Sequence, residues 1–172
     1  MLKGVGILCI LAGSTGIGVV MAKELDLRIR ELLTLQQMIL FIRGEIRYMR
    51  QPLTDTFFHV SGSAPEPFRQ FFSCTAKELE QRRGRTAGEI WRRNQKEYLS
   101  GLHISRQEAS EFGKLGDVLG YLDVEMQVDT LDHYLEQLKL STAHAMEAAK
   151  GKRKLYQYMG ALSGAVLSVL IF

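Results

Sequence analysis

Charged residues in this chain are confined to its middle. Gly4 to Ala22 is an uncharged run of 19 residues, Leu155 to Phe172 is another of 18, and every charge except Lys3 falls between Lys23 and Lys154. At about 1.5 Å per residue each run would make a helix roughly 27 to 29 Å long, close to the hydrocarbon thickness of a bilayer. The pattern predicts a transmembrane helix at each end, residues 1–22 and 155–172, with a water-facing domain at 23–154 between them. A buried core helix is the rival reading of one such run, but a pair at opposite ends fits it poorly.

Between the two runs the apolar positions keep a helical period. Leu25, Leu32, Leu35, Ile39, Ile42, Ile46 and Met49 follow a heptad with one gap at Arg28, which predicts a helix continuous with the first apolar run and ending near Gln51, before Pro52. Pro52 is well placed to open a short helix burying Leu53, Phe57 and Val60. Residues Ser61 to Pro65 read as a loop, and Pro67 opens a third helix with Phe68, Phe71, Phe72, Thr75 and Leu79 on one face. Gly84 is the expected stop. Thr86 with Glu89, and Ser105 with Glu108, are capping-box patterns that begin helices carrying Ile90 and Trp91, then Phe112, Leu115, Leu119 and Leu122.

From Asp123 onward the seam Val124, Val128, Leu131, Leu135, Leu138, Thr142, Ala145, Ala149 alternates steps of four and three without a proline. One helix of about 50 residues through the second apolar run is predicted. No segment reads as a strand. The expected fold is all-α, an antiparallel bundle of about six helices whose first and last members extend into transmembrane segments.

Charge then sets the orientation. Lys23, Arg28, Arg30, Arg43, Arg47 and Arg50 follow the first run, and Lys150, Lys152, Arg153 and Lys154 precede the second. Basic residues resist translocation, so both ends place the middle domain in the cytosol. A cleaved signal peptide is the competing reading of the first run, because Val20 and Ala22 are small residues suitably spaced for a signal peptidase. It would give a secreted domain anchored by its tail, and the basic flank after Ala22 argues against it. The net charge of +3 is small, and the basic residues lack the aromatic interleaving of a nucleic-acid surface, so no nucleic-acid partner is expected.

Candidate chemistry is sparse. His59, His103, His133 and His144 lack the i, i+4 pairing of a helical zinc site, Cys9 and Cys74 make no metal or redox spacing, and no glycine-rich phosphate loop appears. No catalytic group, metal or cofactor is expected, although a membrane-bound enzyme with an unrecognised site stays open as an alternative. In the terminal runs Gly160 and Gly164, extended by Ser168, form a small-residue stripe. Ala12 with Gly16 and Ser14 with Gly18 form similar faces, of the kind that lets helices approach closely in lipid.

Four groups of residues carry a family resemblance: Gly44, Glu45, Ile46, Tyr48 and Met49 leading to Pro52 and Leu53; Glu89, Ile90 and Trp91; Leu119, Gly120, Asp123, Glu125 and Gln127; and Gly151, Lys152, Leu155 and Tyr156. In order and spacing, over nearly the whole chain, the sequence resembles the stage III sporulation protein AB family of endospore-forming bacteria. It departs from that pattern after Leu53, where Thr54 and Asp55 stand in place of the usual Pro and Glu. The resemblance implies assembly without catalysis. The family is similar to the F-type inner-membrane platforms of type II secretion and type IV pilus machines, whose cytoplasmic domains are six-helix bundles. It implies a place in the membrane around the forespore, within a complex of other stage III subunits, and a secretion-type ATPase encoded nearby. Homo-oligomerisation is left open.

Among the motif residues Asp123 is expected to cap the last helix, and Glu125 can answer its dipole. Gln127 has no local role that the sequence shows. Glu125 and Gln127 are therefore the expected contacts to a neighbouring subunit, while Pro52, Thr86, Ser105 and Asp123 are expected to serve helix starts.

Overall fold

Pro52 lacks the backbone N–H that an extending helix needs and disfavours helical geometry in the residue before it, so the first helix stops short of it. In the computed structural model α1 spans Leu2–Gly44 and closes in one wide π-helical turn, Glu45–Met49. There follow α2 (Leu53–Ser63), α3 (Phe68–Gln81), α4 (Ala87–Tyr98), α5 (Arg106–Leu119) and α6 (Val124–Ile171). The structure describes the backbone of residues 2–49, 51–81, 84–120 and 123–171, and the side chains of 23–49, 51–81, 84–120 and 123–151. Among the described residues all regular structure is helical, as the period of the apolar positions predicts.

The chain divides into two units, Glu31–Ser141 and the terminal stretches Met1–Arg30 with Thr142–Phe172. Among the described residues no helix is long and apolar enough to cross a membrane. The predicted spans at 1–22 and 155–172 lie outside the residues whose side chains are described, and so do Gly160, Gly164 and Ser168. The described residues form the all-α bundle that the periodicity predicts, and the predicted extension of its first and last helices into membrane spans falls outside them.

Within Glu31–Ser141 the core begins with two seams. Leu32, Leu35, Ile39, Ile42 and Ile46 of α1 are buried, as are Val128, Leu131, Leu135 and Leu138 of α6. Steps of three and four hold each set on one face of its helix. The Gln36 side-chain amide donates to the Leu138 carbonyl at 3.1 Å, and Arg43 Nη2 donates to Asp132 Oδ2 at 2.8 Å. Residue numbers rise along one helix as they fall along the other, so α1 and α6 run antiparallel.

The remaining helices meet on aromatic rings. Trp91 lies edge-on to Phe71 at 4.8 Å between centroids and against Phe112 at 4.9 Å, with Phe57 at 5.4 Å. Its indole N–H is satisfied within the core by the Phe112 carbonyl at 2.9 Å. Cutting such a tryptophan to alanine costs about 3–5 kcal/mol. Glycine at 116 makes the arrangement fit, because a Cβ there would overlap the Trp91 indole. Within the α3–α4 connection Gly84 takes φ 72°, a left-handed backbone that side chains disfavour.

Three expectations are corrected here. Met49 is 59% exposed, because the π-helical turn carries an extra residue and the side chains after it lag behind the buried stripe. Val124 is 42% exposed: its helix starts there, before the seam reaches the core at Val128. The predicted loop at 61–65 is shorter, since α2 runs to Ser63 with the Ser61 hydroxyl bonded back to the Phe58 carbonyl at 2.7 Å.

Candidate functional site

The start of α6 is built by local bonds. The Asp123 carboxylate accepts from the Met126 N–H at 2.9 Å, and its backbone carbonyl accepts from the Gln127 N–H at 2.9 Å, so Asp123 occupies the cap position. Gln127 reaches the other way: its side-chain amide donates to the Leu119 carbonyl at 2.7 Å and satisfies one of the orphan acceptors at the end of α5. Gln127 thus has a local partner that the sequence reading did not give it. Glu125 is exposed, in the first turn of α6, where its charge favours the helix dipole.

The π-helical turn comes against this corner. Arg47 lines a cleft of about 690 Å³ together with Asp123, Val124, Glu125, Val128, Asp129 and Asp132. Four acids face one arginine. Asp132 is held by a two-pronged ion pair with Arg43, and that hydrogen bond raises the Arg43 guanidinium further above its ordinary range despite the opposing effect of burial. Beside the cleft Tyr48 is 77% exposed, with the Arg47 guanidinium 6.0 Å from its ring centroid. The Glu45 carboxylate, in the same turn, is hydrogen-bonded to His59 Nδ1 at 3.1 Å and ties the turn to α2.

Two of the motif groups, some 75 residues apart in sequence, therefore share one corner: Glu45 to Met49, and Asp123 to Gln127. The Glu89 group does not join it. Glu89 closes the capping box on Thr86, with each backbone N–H bonded to the other's side chain, while Ile90 and Trp91 are buried in the core. Ser105 and Glu108 form the same box at α5. Pro52 sits before α2 without a side-chain cap, its carbonyl accepting from Asp55 and Thr56. Of the fourth group Gly151 is described and exposed, and the others lie outside the described side chains. Sequence reasoning missed Asp129 and Asp132 as part of the corner, although their spacing from Glu125 at i+4 and i+7 marks one helix face.

Among the described residues no three metal-binding side chains converge. His59 and His103 are each engaged by a glutamate, Glu45 and Glu31 respectively, and His133 is bonded to Gln137. Cys74 is a free thiol beside Tyr98, and that contact raises the phenol above its ordinary range. What the corner offers is a surface: an exposed aromatic ring, exposed methionines at 49 and 126, and a concentration of negative charge.

The chain as a whole is similar to known proteins. The sequence profile described as stage III sporulation protein AB matches residues 3–172. The stage III sporulation protein AB of Bacillus subtilis (strain 168) is 26% identical over 171 residues, covering 99% of each chain. A solved structure of a stage III sporulation protein AB superposes with a TM-score of 0.65 at 22% identity, over 72% of this chain and 97% of that one. The solved structure shares the fold.

Proposed function

Because the chain belongs to the stage III sporulation protein AB family, we propose that it acts in a sporulation complex as a non-enzymatic platform, a membrane-held bundle that positions other subunits. In this reading residues 1–22 and 155–172 span the mother-cell membrane around the forespore, and the bundle between them faces the mother-cell cytosol. The basic residues that flank both runs on that side support the orientation. The partners are other stage III subunits and a secretion-type ATPase, as in the inner-membrane platforms that the family resembles.

The observation that carries the proposal is the corner itself. Exposed Tyr48, Met49 and Met126 lie beside the acidic mouth formed with Glu125, and large exposed apolar side chains next to charge are what a specific docking surface presents. Glu125 is the proposed contact. Gln127, tied to Leu119, positions the corner.

Affinity purification of the full chain from sporulating cells tests this. The parent chain should bring down a secretion-type ATPase, and Glu125→Lys should lose it at an unchanged chain level. If Glu125→Lys recruits every partner of the parent, the corner is not the docking site.

A further inference from the structure

Helices α4 and α5 leave between them a cleft of about 520 Å³. Its floor includes Leu102, Ile104 and Gly113, and its rims are basic, with Arg92 and Lys96 one turn apart on α4 and Arg106 and Lys114 on α5. Arg92 is paired with Asp117 and Lys114 with Glu111, whereas among the described residues no acid pairs with Lys96 or Arg106. Both of these cations are exposed. The cleft is therefore an apolar trough with unspent positive charge on each side.

The first turns of α6 carry the opposite pattern. Glu125, Asp129, Asp132 and Glu136 recur at i, i+4, i+7 and i+11, one face of a helix over roughly 16 Å. Glu125, Asp129 and Glu136 are exposed, and next to this stripe Met126 and Leu140 are 52% and 63% exposed. An acidic helix face with apolar side chains beside it is the complement in charge and polarity of an apolar groove with basic rims.

Groove and stripe belong to the same unit, Glu31–Ser141. We infer that the α4–α5 groove receives the acidic α6 stripe of a second copy of this chain. The inference rests on reading the α6 corner as a docking surface and names one neighbour that docks there. The contact is head-to-tail: each copy uses its groove on one side and its stripe on the other, so the assembly closes as a ring or continues as a row. Lys96 and Arg106 meet Glu125 and Asp129, while Met126 and Leu140 reach the trough floor. Because the charges lie at an exposed rim, association weakens as salt shortens the screening length.

Charge reversal with rescue tests it on the full chain in detergent micelles, with self-association read by sedimentation. Lys96→Glu with Arg106→Glu makes the groove acidic, and Glu125→Lys with Asp129→Lys makes the stripe basic. Each double variant alone should self-associate about tenfold more weakly than the parent, or less. An equimolar mixture of the two should associate again, because the native groove of one meets the native stripe of the other and the two reversed surfaces match. Rescue on mixing also requires that both variants are folded. Lys96→Gln with Arg106→Gln, a milder change, should weaken association in the same direction. A parent chain that stays monomeric overturns the inference, as does a mixture that fails to associate. Either result leaves the capture of other partners through Glu125 to be decided by its own experiment, in which the groove variant should behave as the parent does.

Discussion

Among the described residues the Tyr134 hydroxyl has no hydrogen-bond partner: the residue is 5% exposed, its ring 6.4 Å from that of Phe112. Burial, reinforced by the charges of Glu108 and Glu111, raises its ionisation well above the ordinary 10.0. The sign follows from linkage. Below pH 10 tyrosine is neutral in both folded and unfolded chains and the neutral form fits the core. As pH rises past 10 the unfolded chain ionises first, so stability falls until the folded pKa is reached. Tyr134→Phe is expected to be neutral or stabilising by about 1 kcal/mol at pH 7, since it removes an unpartnered buried hydroxyl. Above pH 10 the parent should lose stability more steeply than the variant, by up to about 1.4 kcal/mol per pH unit. Thermal unfolding followed by circular dichroism at pH 8 to 11 measures both, and equal slopes would show that Tyr134 does not titrate out of the core. The apolar period from Leu131 to Leu135 did not reveal this residue. A tyrosine within a seam reads as core or surface with equal ease until its neighbours across the bundle are known.

At the scale of elements, the helix starts are the part most readable from sequence, because a capping box is complete within four residues. Thr86 with Glu89 and Ser105 with Glu108 each hold both bonds. Helix ends are less local. The Leu119 carbonyl is satisfied by Gln127, eight residues further on and in the next helix, so nothing in the spacing announced it. The π-helical turn at Glu45–Met49 was likewise hidden, since its extra residue leaves the heptad intact until Ile46 and displaces only the side chains beyond. The corner follows from these two features together, and its acidic face was legible only as a spacing without a destination. Asp123→Ala and Gln127→Ala should each lower the stability of the bundle by about 1 kcal/mol. Glu125→Lys should cost only the helix-dipole increment of about 0.3 to 1 kcal/mol. Melting temperatures of the three variants in detergent decide this. A Gln127→Ala chain as stable as the parent would mean that the bond to Leu119 contributes nothing.

For the whole molecule, the hydropathy of the chain predicts two ends and a middle, while the pairing of α1 with α6 emerges only in three dimensions. The proposed orientation has a direct readout. A phosphatase fused after Phe172 should be active, because that terminus is expected across the membrane from the bundle, and a cytosolic reporter at the same site should be silent. The reverse result would remove the orientation and with it the mother-cell placement of the docking corner.

The hydrogen bond from Gln36 to Leu138 joins residues 102 positions apart. During synthesis α1 leaves the ribosome early, and its seam of Leu32, Leu35, Ile39 and Ile42 cannot meet its final neighbour until α6 has been translated. At roughly 5 to 20 residues per second that wait lasts on the order of 5 to 20 seconds. The α2–α3 and α4–α5 hairpins can form meanwhile from local contacts. The nascent chain therefore spends most of its translation with an apolar edge uncovered, which makes it a client for whatever shields emerging chains.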